Sequence, residues 1–366
     1  MTPGALLSVS LSRTSVPTEF FGRSKSVRRF TKVGRVGEGT YGVVYAAKNT
    51  ETNEKVALKR IRFAGEQDGF PLAALREIQL LKAIDHDNIV RVLEVVVGTA
   101  LTDVFMVMEL CEIDLAALMD NVITQLNPPR FTEREVKCLM TQLLAGLECL
   151  HDRHIIHRDL KMSNLLLTSH GVLKIADFGL ARHFSSTAVS MTPRVVTLWY
   201  RSPELLLGAK TYTTAVDMWS TGCILAELLI TKPLLPGKTD PDQLTRITNL
   251  LGYPTPQIWP SMTQLPLYHL FKIDPVRMNP YSQVKAVLGV GASNGAVELV
   301  QALLVYDPER RVDVREARRF AYFRREGPNP CLPSEIRMRV GSNGGTGHSR
   351  SQREYLGGGQ GDHGVV

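Results

Sequence analysis

The stretch that decides the fold opens as IIHRDLKMSNLLL (Ile155–Leu167), continues as KIADFGLAR (Lys174–Arg182) and closes as VVTLWYRSPE (Val195–Glu204). Asp159, Asn164 and Asp177 fall within it, three oxygen-bearing side chains separated by apolar runs. Carboxylate and amide oxygens suit a hard divalent ion, and a carboxylate can also take up a proton. The rest of the chain is read outward from these residues.

Upstream, FTKVGRVGEGTYGVVYAAKN (30–49) alternates apolar and small residues on either side of a glycine cluster. VALKRI follows after the turn-like ETNEK, so the stretch predicts an antiparallel β-meander beginning near Phe30. Gly37, Gly39 and Gly42 make G-x-G-x-x-G, a weak pattern by itself. Here it lies between strands instead of opening a helix after one. That position argues against a dinucleotide fingerprint, and its glycines would let the loop backbone approach phosphates closely. FPLAALREIQLLKAI (70–84) has apolar positions at helical spacing after Pro71 and predicts a helix carrying Arg76 and Glu77. The β-branched runs IVRVLEVVVG and VFMVMEL predict further strands. Glu109, Leu110 and Cys111 then lead into CEIDLAALM, where the chain turns helical. TEREVKCLMTQLLAGLECLH predicts a long helix with Thr132 as its N-cap and acids in the first turn. Past Glu204, AVDMWSTGCILAELL predicts a buried helix with Asp217 near its start, and LVQALLVYDPERRVDVREA a final helical pair.

At 366 residues the chain is long for one core, and two lobes are expected. Part of the net charge of +7 lies in two basic runs, one of Arg23, Lys25, Arg28, Arg29, Lys32 and Arg35, the other from Arg310 to Arg325. They read as solvated faces, with a docking or nuclear-import patch as the sharper alternative. No aromatic-interleaved basic motif points to nucleic acid. Cys111, Cys138, Cys149, Cys223 and Cys331 lack C-x-x-C spacing and read as thiols of a reducing compartment, nucleus or cytoplasm. The sequence has no apolar run of about 18 residues, so no membrane span is expected. Residues 1–29 are expected to form a disordered basic extension. The Gly-rich stretch from Gly341 is expected to be a disordered tail, since it has too few apolar groups to offset the entropy of ordering.

GEGTYG, VALK, HRDLKMSN, DFGLAR, WYRSPE, DMWSTG and DPERR, in this order from about Phe30 to Phe323, resemble a eukaryotic Ser/Thr protein kinase. PLAALRE, GEGTYG and VVTLWYR are similar to the cyclin-dependent kinases. Within that family GFPLAALREI, EVVVG, MTPRVVTLWYRSPELLLG and CILAELL with PLLPG resemble the PISSLRE type, with the PITSLRE type as runner-up. The resemblance implies an α+β, bilobal fold. A small antiparallel β-sheet lobe with one movable helix would cover about 30–110, a larger mainly helical lobe about 111–323, and a tail would run from 324.

The activity implied is transfer of the ATP γ-phosphoryl group to Ser or Thr hydroxyls of proteins. Asp159 would accept or orient the hydroxyl proton, Lys161 would steady the γ-phosphate, and Thr197 belongs to the same catalytic set. Asn164 and Asp177 would hold Mg2+. The implied ATP set is Val36, Gly37, Glu38, Gly39, Thr40, Tyr41, Gly42, Val43 and Val44 of the glycine loop, with Ala57, Lys59, Glu77, Glu109, Cys111, Asp114, Leu166 and Asp177. Glu77 would pair with Lys59, and Met108 would guard the pocket behind the Glu109–Cys111 hinge.

Regulation is implied as well. The partners would be a cyclin, of the M type if the PISSLRE likeness holds, and an activating kinase acting on Thr192. Arg76, Arg158 and Arg182 would form a pocket for that phosphate. Three guanidiniums about 7 Å apart repel by roughly 2 kcal/mol per pair at an effective dielectric near 20, and a phosphate reverses the sign. Thr40 and Tyr41 stand where the family takes inhibitory phosphates. Val196 and Arg201 imply a substrate proline pocket, hence Ser/Thr-Pro sites. Glu204 and Arg311 imply a buried ion pair, and Asp217 a hold on the catalytic-loop backbone.

Two residues depart from the pattern. Ser202 replaces alanine, with little expected consequence, and Met162 replaces proline, which is expected to loosen the catalytic loop slightly. A mitogen-activated kinase would carry T-x-Y where Met191-Thr192-Pro193-Arg194 stands. A catalytically weak cyclin-binding scaffold is the other alternative, opposed by the joint presence of Lys59, Glu77, Asp159, Asn164 and Asp177.

Overall fold

The computed structural model describes residues 25–39, 42–63, 70–100, 103–125, 130–183, 198–270, 282–289, 291–324 and 326–340. Thr40, Tyr41, Thr192, Val196 and Thr197 lie outside them, as do Arg23 and the Gly-rich tail. The chain divides into two compact units, Met1–Ala83 with Arg91–Leu110, and Ile84–Val90 with Cys111–Val366.

Among the described residues of the first unit, β1 (Lys25–Ser26), β2 (Phe30–Gly39), β3 (Gly42–Asn49), β4 (Lys55–Arg60), β5 (Val92–Val97) and β6 (Val104–Glu109) form one sheet in the order β1-β5-β6-β4-β3-β2. Every pairing is antiparallel except β1 with β5. Helix α1 (Leu72–Lys82) contributes Ala74 to an apolar cluster with Ile61 and Val104, against which Ile78 and Val95 pack. A second cluster joins Phe30, Leu58, Val96 and Phe105. Successive residues of a strand face opposite ways, so β4 gives Leu58 to that cluster and turns Lys59 to the other face.

Strand structure begins before Phe30, which corrects the expectation of a disordered stretch up to residue 29. Lys25 and Ser26 pair in parallel with Val96 and Val97, and the Ser26 hydroxyl accepts from the Arg28 N–H at 3.2 Å, closing a turn over Val27–Arg29. Arg29 forks onto Glu51 at 2.9 and 2.5 Å, and Lys25 reaches Glu94 at 3.0 Å. Exposed ion pairs of this kind contribute little to stability, because water and salt screen them. The packing of Val27 and Phe30 on Val96 and Phe105 is the stronger tie, at roughly 1.5–3 kcal/mol for a buried apolar side chain.

The second unit carries short strands β7 (Ile113–Asp114), β8 (Ile155–Ile156), β9 (Leu165–Leu167), β10 (Leu173–Ile175) and β11 (Arg182–His183). They pair as β10-β9-β7 and β11-β8. Its helices include α2 (Leu115–Gln125), α3 (Glu133–His151), α4 (Pro203–Leu206), α5 (Ala215–Ile230), α6 (Asp240–Leu251), α7 (Val284–Leu288), α8 (Asn294–Leu303), α9 (Val314–Arg318), α10 (Ala321–Arg324) and α11 (Pro333–Val340). The α+β content expected of a small sheet lobe and a larger helical lobe is therefore present.

Thr132 caps α3 in a full capping box: its hydroxyl accepts from the Glu135 N–H, and Glu135 accepts from the Thr132 N–H at 2.8 Å. Helix α5 is buried from Ala215 through Leu228, so even its polar residues Asp217, Ser220, Thr221 and Glu227 must find partners inside the protein. Arg311 follows α8 and has no exposed side-chain surface. It forks onto Glu204 of α4 at 2.8 and 3.0 Å, and donates to the carbonyls of Ala215, Val305 and Tyr306.

Ser202, immediately before α4, behaves differently from the sequence expectation. It is 1% exposed, and its hydroxyl has no hydrogen-bond partner among the described residues. A buried hydroxyl left unpaired costs about 1–3 kcal/mol. Ser202→Ala should therefore stabilise the protein by about 1 kcal/mol, seen as a higher urea midpoint with an unchanged slope. A lower midpoint would mean that the hydroxyl has a partner in solution.

Candidate active site

Two glycines of the loop owe their identity to different causes. A Cβ on Gly42 would fall 1.7 Å from the Arg60 carbonyl oxygen, so the close approach of β3 to β4 excludes any side chain there. Gly37 pairs with Val44 and has nothing within 4 Å of where its Cβ would stand. Packing of the chain does not ask for glycine at position 37, and the open space fits close approach of a phosphate.

Val44 in turn lies opposite Lys59. The Lys59 Nζ donates to both carboxylate oxygens of Glu77 on α1, at 2.7 and 3.0 Å. The two residues are 5% and 2% exposed, so each charge depends on the other for its solvation. Val36 and Ala57 are buried, with Ala57 opposite Met108 on β6. Glu109 closes the end of β6 onto Arg91: its carboxylate accepts from the Arg91 N–H at 2.7 Å, and its own N–H donates to the Arg91 carbonyl at 3.1 Å.

The second unit holds the catalytic-loop residues in a frame built from α5. Asp217 accepts from the backbone N–H groups of His157 and Arg158, both at 2.9 Å, and meets His151 Nε2 at 3.0 Å. Burial pushes the Asp217 carboxyl up, but the hydrogen bond and charge of His151, the charge of His157 and the Arg158 N–H outweigh it and hold the carboxyl below its ordinary value. Both N–H groups can point at one carboxylate because Arg158 is left-handed, with φ of 69°. Asp159 follows, 4% exposed, its Oδ2 accepting from Lys161 Nζ and Asn164 Nδ2, each at 2.9 Å.

Asn164 Nδ2 also donates to the Asp159 carbonyl at 2.7 Å. With both partners acceptors, the amide orientation is settled: nitrogen toward Asp159, oxygen away from it. The Asn164 carbonyl accepts from the Ala176 N–H at 2.9 Å, which places Asp177 next to it in the chain that returns through β10. Asp177 is left-handed as well, with φ of 62°, a conformation that costs a non-glycine residue about 1–3 kcal/mol and is typical of functional sites. The amide oxygen of Asn164 and the carboxylate of Asp177 are oxygen donors of the kind that suits Mg2+, and these two residues would hold the ion, which needs no further protein cage when phosphates complete it. His157 locks the two segments together. Its Nδ1 accepts from the Asp159 N–H at 3.3 Å, its Nε2 meets the Ala176 carbonyl at 3.0 Å, and its ring packs edge-on to Phe178 at 4.9 Å.

Residues 30–323 match the family model described as protein kinase domain. The chain is 49% identical over 320 residues to cyclin-dependent kinase 10 of Mus musculus, covering 87% of this chain and 86% of that one. It is 48% identical to the Homo sapiens protein of the same name with the same coverage, and 47% identical over 310 residues to cyclin-dependent kinase 11B of Rattus norvegicus, covering 85% and 69%. The chain belongs to the cyclin-dependent protein kinase family. It is thus a Ser/Thr protein kinase by family, and the scaffold alternative finds no support.

Several residues expected in the kinase's site have additional or different duties. The Asp114 carboxylate accepts from the Ala117 N–H at 2.9 Å and so starts α2, while its backbone pairs with Leu166. Cys111 is 6% exposed. Arg158 donates through Nε to the Leu180 carbonyl at 2.6 Å and through Nη1 to the Tyr212 hydroxyl at 2.5 Å. Arg182 stands on β11 opposite Ile156, two residues before Arg158, and Arg76 stands on α1 of the other unit. Arg201 pairs with Asp240 at 2.9 Å. The sequence reading did not single out the His157–Ala176 link, nor the buried Tyr200–Glu227 hydrogen bond at 2.7 Å. The only sequence signal for the second was a glutamate inside the otherwise apolar second half of α5.

Proposed function

We propose that this kinase, when bound to a cyclin and phosphorylated on Thr192, transfers the γ-phosphoryl group of ATP to Ser or Thr hydroxyls followed by proline. The observation that carries the reading is the Asp159 carboxylate, fixed by Lys161 and Asn164 and held through the preceding backbone by Asp217. Such a carboxylate can orient the substrate hydroxyl and accept its proton as the oxygen attacks phosphorus and the bond to ADP breaks. Lys59, steadied by Glu77, offers an ammonium to the phosphates beneath the glycine loop. Mg2+ would be held by Asn164 and Asp177 and would neutralise charge on the phosphate oxygens. Lys161, on the same side of the loop as the base, can follow the γ-phosphoryl group.

Thr192 is assigned from its place in the segment and from the Arg76, Arg158 and Arg182 set, and the proline requirement from Val196 and Arg201. The reducing compartment suggested by the cysteines is the nucleus or cytoplasm. The test is phosphate incorporation into a Ser-Pro peptide and its Ser-Ala counterpart, with wild-type and Thr192→Ala protein, each with and without cyclin. Transfer to the Ser-Pro peptide that needs cyclin and falls at least tenfold in Thr192→Ala is expected. Equal labelling of both peptides would remove the proline requirement. No transfer with any cyclin would overturn the enzymatic reading.

A further inference from the structure

Tyr200 and its two neighbours are tied to different helices. Tyr200 is held by α5: its hydroxyl donates to Glu227 Oε2 at 2.7 Å, and its carbonyl accepts from Ser220 Oγ at 2.9 Å. Trp199 and Arg201, one residue to either side, reach the start of α6 instead. Trp199 Nε1 donates to the Gly237 carbonyl at 3.0 Å, and the Trp199 carbonyl accepts from Gln243 Nε2 at 3.3 Å. The oxygen of the same buried amide accepts from the Gly237 N–H at 3.0 Å, so Gln243 links the two backbone segments and its orientation is settled. A Cβ on Gly237 would fall 2.8 Å from the Gln243 Cα, so this close approach requires glycine. Arg201 completes the seam, with its Nη1 donating to Asp240 Oδ1 at 2.9 Å.

Two acids open α6, and they are used differently. Asp242 serves the helix itself. Its N–H donates to the Thr239 hydroxyl at 3.3 Å, and its carboxylate accepts from the Lys238 N–H at 2.9 Å and from Arg246 Nε at 3.1 Å. Asp240 is the acid that meets Arg201. An acid in a first turn favours a helix whatever it touches, so position alone would make Asp240 no more than part of a helix start. The guanidinium gives it a second duty: the Arg201 side chain is 12% exposed, and the carboxylate fixes which way its planar fork faces. The Asp240 side chain is 54% exposed, so water can take its place beside the guanidinium, and its removal should cost the fold little.

We propose that Asp240 is a specificity-determining positioning residue: by holding the Arg201 guanidinium it keeps the substrate proline pocket selective. The inference rests on the reading of Val196 and Arg201 as that pocket. A pocket selects proline when its backbone acceptor is already taken. Any other residue then buries an N–H without a partner, whereas proline has none to lose. Arg201 can take that acceptor only while its fork is aimed. Trp199 and Tyr200 hold the backbone beside it on two helices, and Asp240 aims the side chain. Released from Asp240, the guanidinium turns to solvent, and the acceptor becomes available to substrates without proline.

The test uses full-length kinase with the cyclin that activates it, and compares kcat/KM for a Ser-Pro peptide and its Ser-Ala counterpart in wild type, Asp240→Ala and Asp242→Ala. In Asp240→Ala the Ser-Pro to Ser-Ala ratio should fall by about fivefold or more. The fall should come through a rise in kcat/KM for the Ser-Ala peptide, which damage to the fold would lower and not raise. Asp242→Ala disturbs the same helix start without touching Arg201, so it should lower the urea midpoint and keep the wild-type ratio. An unchanged ratio in Asp240→Ala, a ratio lost only through a fall for the Ser-Pro peptide, or an equal loss in Asp242→Ala would overturn the role of Asp240 and leave the proline reading standing. A wild type that labels both peptides equally, or neither, would overturn the proline reading and this inference with it.

Discussion

Asp159→Asn should lower kcat by about 10³-fold while leaving the protein folded. The substitution keeps shape and volume but removes the charge that receives two donors, Lys161 Nζ and Asn164 Nδ2, at 2.9 Å each. An asparagine there can accept only through its oxygen. If it turns that oxygen to Lys161, its own NH2 group faces the substrate hydroxyl as a donor, where a proton acceptor is needed. The loss falls on the step in which the hydroxyl proton leaves, so KM for ATP should change far less than kcat. Single-turnover phosphorylation of a Ser-Pro peptide beside a separate nucleotide-binding titration distinguishes the two effects. Turnover within tenfold of wild type would remove Asp159 from the role of base.

The largest effect on stability should come from Arg311→Met, at about 3–5 kcal/mol. The Arg311 side chain is wholly buried, its guanidinium shared between both Glu204 oxygens and the Ala215, Val305 and Tyr306 carbonyls, and it lies 5.1 Å from the Trp219 ring centroid. Methionine leaves the Glu204 carboxylate, 4% exposed, without its counter-charge in a dry interior. The double variant Glu204→Gln/Arg311→Met should recover part of the loss, because the orphaned charge disappears with its partner. Guanidinium-chloride midpoints for the two single variants and the double variant measure this. A double variant as unstable as the sum of the singles would show that backbone carbonyls, and not the ion pair, carry the energy.

What the sequence made legible was local or motif-bound. The capping box of Thr132 and Glu135, the glycine cluster between strands, and the helix bearing Glu77 are written within a few residues of each other, and the chain obeys them. The catalytic carboxylate and its neighbours were visible because a short turn forces Asp159, Lys161 and Asn164 together. What was not legible depends on partners distant in sequence. Arg29 looked like one charge of a solvated run until Glu51 and Glu94 came beside it, and the short β1 could not be foreseen without the edge of β5. Ser202 looked interchangeable with alanine because residue size is local, whereas the lack of a hydroxyl partner is a property of everything packed around it.

The two-residue alternation of β4 also limits how this kinase can change length. The turn from Thr50 to Glu54 before β4 is exposed and can lengthen or shorten at little cost. Inside β4, by contrast, one inserted or deleted residue between Val56 and Lys59 would rotate the ammonium to the side of Phe105 and present Leu58 to the Glu77 carboxylate. Homologues of this kinase should therefore differ in length on one side of Lys55 and keep strict count on the other.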